Sequence, residues 1–301
     1  MIARTPSTRN RYPTVAVAGT GYVGARLAAR LAERGCRVLA GRREPPSPGS
    51  LPQGVIPFAL DLDAGTGLAP LAAADVVVCA VPPAGSPDRD LRSERLAAAL
   101  ARHSPRQLIY LSTTGGYGDR SGAEIGETDP PAPRTERARR RLAAEACWRR
   151  FGAEGRARVQ IIRVAGIYGP GRLPTERVRS GEALRVAWPE TRYTNTIHVD
   201  DLVSLILRTM VRGRPNRVYN ACDGAERRQG ALLETVAAEL GVALAPPLTP
   251  EAAYRELSPM RLSFLEESRR CRADRAMAEL GWRPRYTDLS EGVRASLAAE
   301  S

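Results

Sequence analysis

"TVAVAGTGYVGARLAARLAERG", residues 14–35, decides the fold. A short apolar run, Thr14 to Ala18, leads directly into Gly19, Gly21 and Gly24, and a helical pattern follows until Gly35 stops it. In that order of strand, loop and helix, Gly19 permits a tight turn, Gly21 lets the backbone approach a pyrophosphate, and Gly24 allows close helix-to-strand packing. The helix N-terminus then faces a dianion. Glycines at this spacing are common by themselves. Their place between a strand and its helix is what points to a dinucleotide, with Tyr22 and Val23 as further contacts in the loop.

Outward from this stretch, short apolar runs alternate with helical patterns. "CRVLAG" (36–41), "VIPFALDL" (55–62), "ADVVVCAV" (74–81), "QLIYLST" (107–113) and "VQIIRVAGIYG" (159–169) read as buried strands, separated by proline-rich loops. This is the pattern of an α/β chain with a doubly wound parallel sheet, the Rossmann architecture. Beyond Gly169 it loosens, then resumes at "TIHVDDLVSLILRTM" (196–210) with Leu202, Leu205, Ile206 and Thr209 at helical spacing. The expected organisation is a loose tail over 1–13, a dinucleotide-binding domain over 14–170, and a smaller, mainly substrate-binding C-terminal lobe over 171–301. Within that lobe, 196–222 returns to the sheet.

The chain has 301 residues, 43% of them hydrophobic and 26% charged, which is a globular balance. No apolar run reaches the roughly 18 residues of a membrane span, so no membrane partner is expected. The basic, polar start lacks the apolar centre of a secretory signal and reads as a loose tail, although a fragment of an organelle-targeting sequence would share its composition. Five scattered cysteines without metal-ligand spacing favour reduced thiols, a cytoplasmic location and no metal site. All 45 basic residues are arginine, so every mechanism that needs a lysine amine is excluded. The net charge of +12 raises the question of nucleic acid, but the arginines are spread along the chain and aromatics are only 5%, so none is expected.

The end of strand two usually selects the cofactor, by an acid for a ribose 2′-hydroxyl or an arginine for a 2′-phosphate. Here it reads "VLAGRREP", with Arg42 and Arg43 side by side and no acid before Glu44. NADP(H) is therefore expected in preference to NAD(H). Asp61 and Leu62 close the third strand, where an aspartate suits an adenine amino group or simply forms a turn. Ala80, Val81 and Pro82 end the fourth strand beside the same site.

The segments "GTGYVG" (19–24), "LIYLSTTGGYGD" (108–119), "RVAGIYGPG" (163–171), "TIHVDDLV" (196–203), "YNACDG" (219–224) and "ELGWRPRY" (279–286) together resemble the extended short-chain dehydrogenase/reductase superfamily nearly end to end. That superfamily includes sugar-nucleotide epimerases and dehydratases. The closest resemblance is to its atypical, YeeZ-like subgroup. Typical members carry a tyrosine that moves the substrate proton and, four residues on, a lysine that lowers its pKa and holds the nicotinamide ribose. In "PAPRTERARRRLAAE" (131–145) the resemblance sets Arg137 and Arg141 at those two positions. A guanidinium stays protonated near neutral pH, so Arg137 cannot act as the tyrosine does. It could instead bind a substrate anion, and Arg141 a ribose hydroxyl. The alternative is a wet helix face with Glu136 and Arg140 paired one turn apart.

By the same resemblance, Thr113 holds the position that hydrogen-bonds the reacting oxygen, and Tyr117 is the first substitute for the missing acid. Its alternative is a ring packed under the loop. Tyr168 and His198 are weaker candidates, and His198 with Asp200 and Asp201 also suits a helix start. These readings imply an NADP(H)-dependent oxidoreductase that reduces C=O, C=N or C=C in a small anionic metabolite. The alternatives are a silent NADP(H)-binding sensor or scaffold and a sugar-nucleotide epimerase or dehydratase. A homodimer remains open, because related folds often dimerise through helices that flank the sheet.

Overall fold

The computed structural model describes residues 13–47, 51–189 and 192–300. The expected tail therefore lies outside the described residues, Pro13 excepted. The strands of the central sheet are β1 (Thr14–Ala18), β2 (Arg37–Arg42), β3 (Val55–Ala59), β4 (Val76–Cys79), β5 (Gln107–Thr113), β6 (Arg158–Val164) and β7 (Arg217–Ala221). They lie in the order β7-β6-β5-β4-β1-β2-β3, and every pairing is parallel. The chain walks outward from β1 to β3, then returns to β4 on the other side of β1. That reversal opens a crevice at the carboxyl ends of β1 and β4.

Among the helices that cover the sheet are α1 (Tyr22–Ala32), α2 (Leu91–Leu100), α3 (Glu136–Ala153) and α4 (Val199–Arg212). Because side chains alternate along a strand, each strand feeds two cores. Val15 and Val17 of β1 pack with Leu27 and Leu31 of α1 and with Leu202, Leu205 and Ile206 of α4. Ala16 and Ala18 face the other way, toward Leu96 and Leu100 of α2 and Trp148 and Phe151 of α3. Burial on both faces explains why the strands read as unbroken apolar runs. Each buried leucine contributes about 1.5–3 kcal/mol.

The run read as one strand over 159–169 splits in two. After Val164 the chain leaves the sheet, and Gly166–Tyr168 pairs instead with Thr196–His198. This small ladder carries the chain out to the C-terminal lobe, whose own core joins Tyr168, Val178, Val236, Leu289 and Val293. No described helix is long and apolar enough to cross a membrane. All five cysteines are buried and free; burial pushes the Cys79 thiol up to about 12 and those of Cys147 and Cys271 to about 11.

Candidate active site

A cleft of about 800 Å³ occupies the crevice. At one end it is walled by Gly19–Gly24, Arg42, Arg43, Asp61, Leu62 and Asp63, at its middle by Ala80–Pro82, and at the other end by Leu111, Ser112, Arg141, Val164 and Ile167. The loop after β1 is pinned by the amides of Gly19 and Thr20, which donate to Gly41 O at 2.9 and 3.1 Å. Gly19 holds φ +94°, with its Cα hydrogen against Val81 and Ala80. A Cβ on Gly24 would meet Gly19 O at 2.2 Å, whereas one on Gly21 would project into open space. Gly21 is thus the position where a ligand can touch the backbone.

Helix α1 begins at Gly21 with no side-chain cap and no acid in its first turn. Its leading N–H groups therefore have no partner from a capping side chain, and their positive end of the helix dipole opens on the cleft. α2 and α3 differ: Asp90 and Thr135 cap them. The glycine cradle and the uncapped helix fit the pyrophosphate of a dinucleotide on structural grounds.

At the end of β2, Arg42 and Arg43 are exposed, line the cleft and form no ion pair with a described residue. Asp63 is held by Arg92, whose Nε donates to Oδ1 at 2.7 Å, and this partner keeps the carboxyl below its ordinary range. Asp61 lines the cleft, but its Oδ1 accepts from the amides of Asp63 and Ala64 at 2.8 and 3.1 Å. It forms the turn that its residue type allowed for.

At the reactive end the structure separates residues that the sequence grouped. Arg141 lies in the cleft wall, with Nη1 donating to Leu111 O at 2.9 Å and to Tyr110 Oη at 3.2 Å. Arg137, one turn earlier on α3, is outside the wall and stacks its guanidinium 3.8 Å above the exposed Phe264 ring. No ion pair joins Glu136 to Arg140 among the described residues. The wet-face pairing is therefore replaced by a stacking contact to the C-terminal lobe.

Thr113 ends β5 next to Ser112, and its Oγ1 accepts the Gly115 amide at 3.1 Å. That bond uses a lone pair and leaves the hydroxyl proton free to donate. Tyr117 is the main correction: its ring is fully buried over the Arg163 guanidinium, and its hydroxyl donates to Asn220 Oδ1 at 2.9 Å. Burial holds its pKa above the ordinary value. The loop turns this ring under the sheet instead of toward the cleft. Tyr168 is fully buried in the lobe core, its hydroxyl has no hydrogen-bond partner among the described residues, and it faces Gly292, where a Cβ would lie 2.2 Å from that oxygen. His198 caps α4: Nδ1 accepts the Asp200 amide at 3.2 Å, which leaves Nε2 to donate to Ser296 Oγ at 3.2 Å. Burial lowers its pKa. Asp201 receives the amides of Arg285 and Tyr286 at 2.8 and 2.9 Å, joining α4 to the lobe.

Sequence reasoning missed Ser112, Glu145 and Arg163. Ser112 Oγ donates to Glu145 Oε1 at 2.6 Å, and Arg163 grips the same carboxylate through Nε at 3.0 Å and Nη2 at 2.7 Å. Both charged side chains are at most 3% exposed. The available signal was a charged residue inside each of two apolar patterns, Arg163 in a buried strand and Glu145 on the sheet side of α3.

The model of the NAD dependent epimerase/dehydratase family matches residues 15–222. Protein YeeZ of Escherichia coli K12 is 27% identical over 286 residues, covering 91% of this chain and 96% of the relative. The dTDP-6-deoxy-L-talose 4-dehydrogenase (NAD(P)(+)) of Kitasatospora kifunensis is 28% identical, with 94% of each chain covered. Among solved structures, a conserved protein of unknown function from Silicibacter pomeroyi DSS superposes with a TM-score of 0.81 at 30% identity, over 95% of this chain and 99% of that one.

Proposed function

The chain belongs to the NAD dependent epimerase/dehydratase family, and we propose that within it the protein is an NADP(H)-dependent oxidoreductase that reduces C=O, C=N or C=C in a small anionic metabolite. The observation that carries this reading is the single cleft that runs from the unpaired Arg42 and Arg43, past the uncapped start of α1, to Ser112 and Arg141 at the strand ends. Arg42 and Arg43 are suited to a 2′-phosphate, because guanidinium groups bind phosphate oxygens through paired N–H donors. The bound nicotinamide would supply the hydride.

The protein's own part is orientation and charge. Arg141, anchored through Nη1, keeps its remaining N–H groups for a ribose hydroxyl or a negative substrate group. Thr113 donates a hydrogen bond from its free hydroxyl to the reacting oxygen and so positions it. Solvent supplies the proton that a tyrosine delivers in typical members. Arg137 lies at the lobe side of this end, where it can attract an anion without touching the cofactor. The name of the Kitasatospora relative favours one class of anion, a nucleotide-linked deoxysugar.

Titration with NADPH and NADH, followed by single-turnover NADPH oxidation over a panel that begins with nucleotide-linked keto sugars, tests the proposal. Tight NADPH binding with turnover supports it. Binding without oxidation of any substrate leaves the sensor reading in its place, and preference for NADH removes the 2′-phosphate assignment.

A further inference from the structure

One arginine in the cleft wall comes from the C-terminal side of the molecule. Arg172 follows the Gly169–Gly171 turn and lines the same cleft as Gly19–Gly24, with its guanidinium 5.2 Å from the centroid of the Tyr22 ring. Tyr22 is the first residue of α1, immediately after Gly21. Arg172 is therefore beside the start of α1, at the glycine-loop end of the cleft.

The turn that carries it is fixed from three directions. Arg26 of α1 donates Nη2 to Pro170 O at 2.6 Å and Nη1 to Tyr22 O at 3.1 Å. Glu300 accepts the Gly171 amide at 2.5 Å, and the Arg172 amide closes the turn on Gly169 O at 2.9 Å. Gly169 holds φ +146°, and a Cβ there would meet Val199 Cγ1 at 2.7 Å and Tyr22 Oη at 2.9 Å, so the backbone sits directly on the tyrosine. Arg26 is consumed by these backbone contacts. Arg172 differs, since its side chain is exposed and makes no ion pair with a described residue.

We infer that Arg172 is a second clamp on the cofactor's pyrophosphate, closing over it from the C-terminal side while the α1 amides hold it from below. This rests on the cofactor reading above. The chemistry is the same in both walls: backbone N–H groups and a guanidinium converge on one dianion, with charge-assisted hydrogen bonds from the arginine. The clamp is blind to the 2′-phosphate, which belongs to Arg42 and Arg43 at the other end of the ribose.

Calorimetric titration with ADP-ribose and with 2′-phospho-ADP-ribose separates these roles without any reaction. Arg172→Ala is expected to weaken both probes by the same factor, about 10-fold for one exposed charge-assisted contact, and Arg172→Lys to recover most of the loss because a cation is restored. Arg42→Ala with Arg43→Ala is expected to weaken only the 2′-phosphorylated probe. Unfolding by urea should be unchanged in Arg172→Ala, since the side chain is exposed. Parent-like binding of both probes by Arg172→Ala, a loss confined to the 2′-phosphorylated probe, or no recovery with lysine overturns the clamp and leaves the cofactor reading intact. Failure of the parent protein to bind either probe overturns the cofactor reading, and the clamp with it.

Discussion

Gly19–Gly24 and Thr113–Gly118 are both loops that leave a central parallel strand at its carboxyl end, yet they dispose of their polar groups in opposite ways. The first spends only its Gly19 and Thr20 amides on Gly41 O and enters a helix with no side-chain cap, whose leading amides remain open to the cleft. The second closes on itself: Thr113 caps its own short turn through the Gly115 amide, and Tyr117 is drawn inward to Asn220. One loop offers backbone donors to a ligand, while the other spends side chains on the fold. The reactive half of the cleft therefore stands on a buried polar network, Ser112, Glu145, Arg163, Tyr117 and Asn220, where the phosphate half stands on glycine geometry.

If that contrast is right, the largest effect comes from breaking the network. Arg163→Met takes the bidentate partner from the buried Glu145 carboxylate, leaving it Ser112 and the more distant Arg149 at 3.6 Å, and is expected to cost about 3 kcal/mol, read as a lowered urea midpoint. Adding Glu145→Gln should return a good part of it, because the buried charge that lost its bidentate partner is gone. A single-variant loss below about 1 kcal/mol would mean that the pair is screened like a surface one.

The phosphate half is expected to respond in affinity and not in stability. Arg42→Ala with Arg43→Ala should cost about 1.5–3 kcal/mol in NADPH binding, with NADH and the unfolding midpoint unchanged. An equal loss for both cofactors would show that these arginines serve the fold or the general field of the cleft.

The two hydroxyls of the β5 loop sharpen the comparison further. Thr113→Val should slow single-turnover NADPH oxidation by roughly 2- to 12-fold, the kinetic equivalent of one hydrogen bond. Tyr117→Phe should leave that rate within about 3-fold of the parent while costing about 1–3 kcal/mol of stability, because Asn220 loses its buried donor. A large rate loss with unchanged stability in Tyr117→Phe would return the proton to this tyrosine.

The smallest effect is a pH dependence in the lobe. Burial lowers the His198 pKa in the folded chain, so the unfolded chain binds the extra proton. Its contribution to stability is present above the unfolded value, about 6.5, and is lost as pH falls below it, with a slope of at most one proton. His198→Gln should flatten that slope in urea titrations from pH 7.5 to 5.5; an identical slope would assign the acid sensitivity to other groups.

The amino-acid sequence determined by itself six of the seven parallel strands, the phosphate loop and the absence of a lysine mechanism, because glycine, apolar runs and residue type act within a few neighbours. That Arg42 and Arg43 would stand at the end of β2 in the cleft wall was legible for the same reason, while Arg141 was placed there by the family resemblance. Only the tertiary structure decided where Tyr117 and Arg137 point. Tyr117 finds its partner 103 residues away, and Arg137 rests on Phe264 of a segment whose packing no local pattern announces. The approach of Arg172 likewise depends on a contact between Arg26 and Pro170, 144 residues apart. Hydrogen bonds and stacking across such separations are won or lost against every other arrangement of the chain, so residue type names the candidates and packing selects among them.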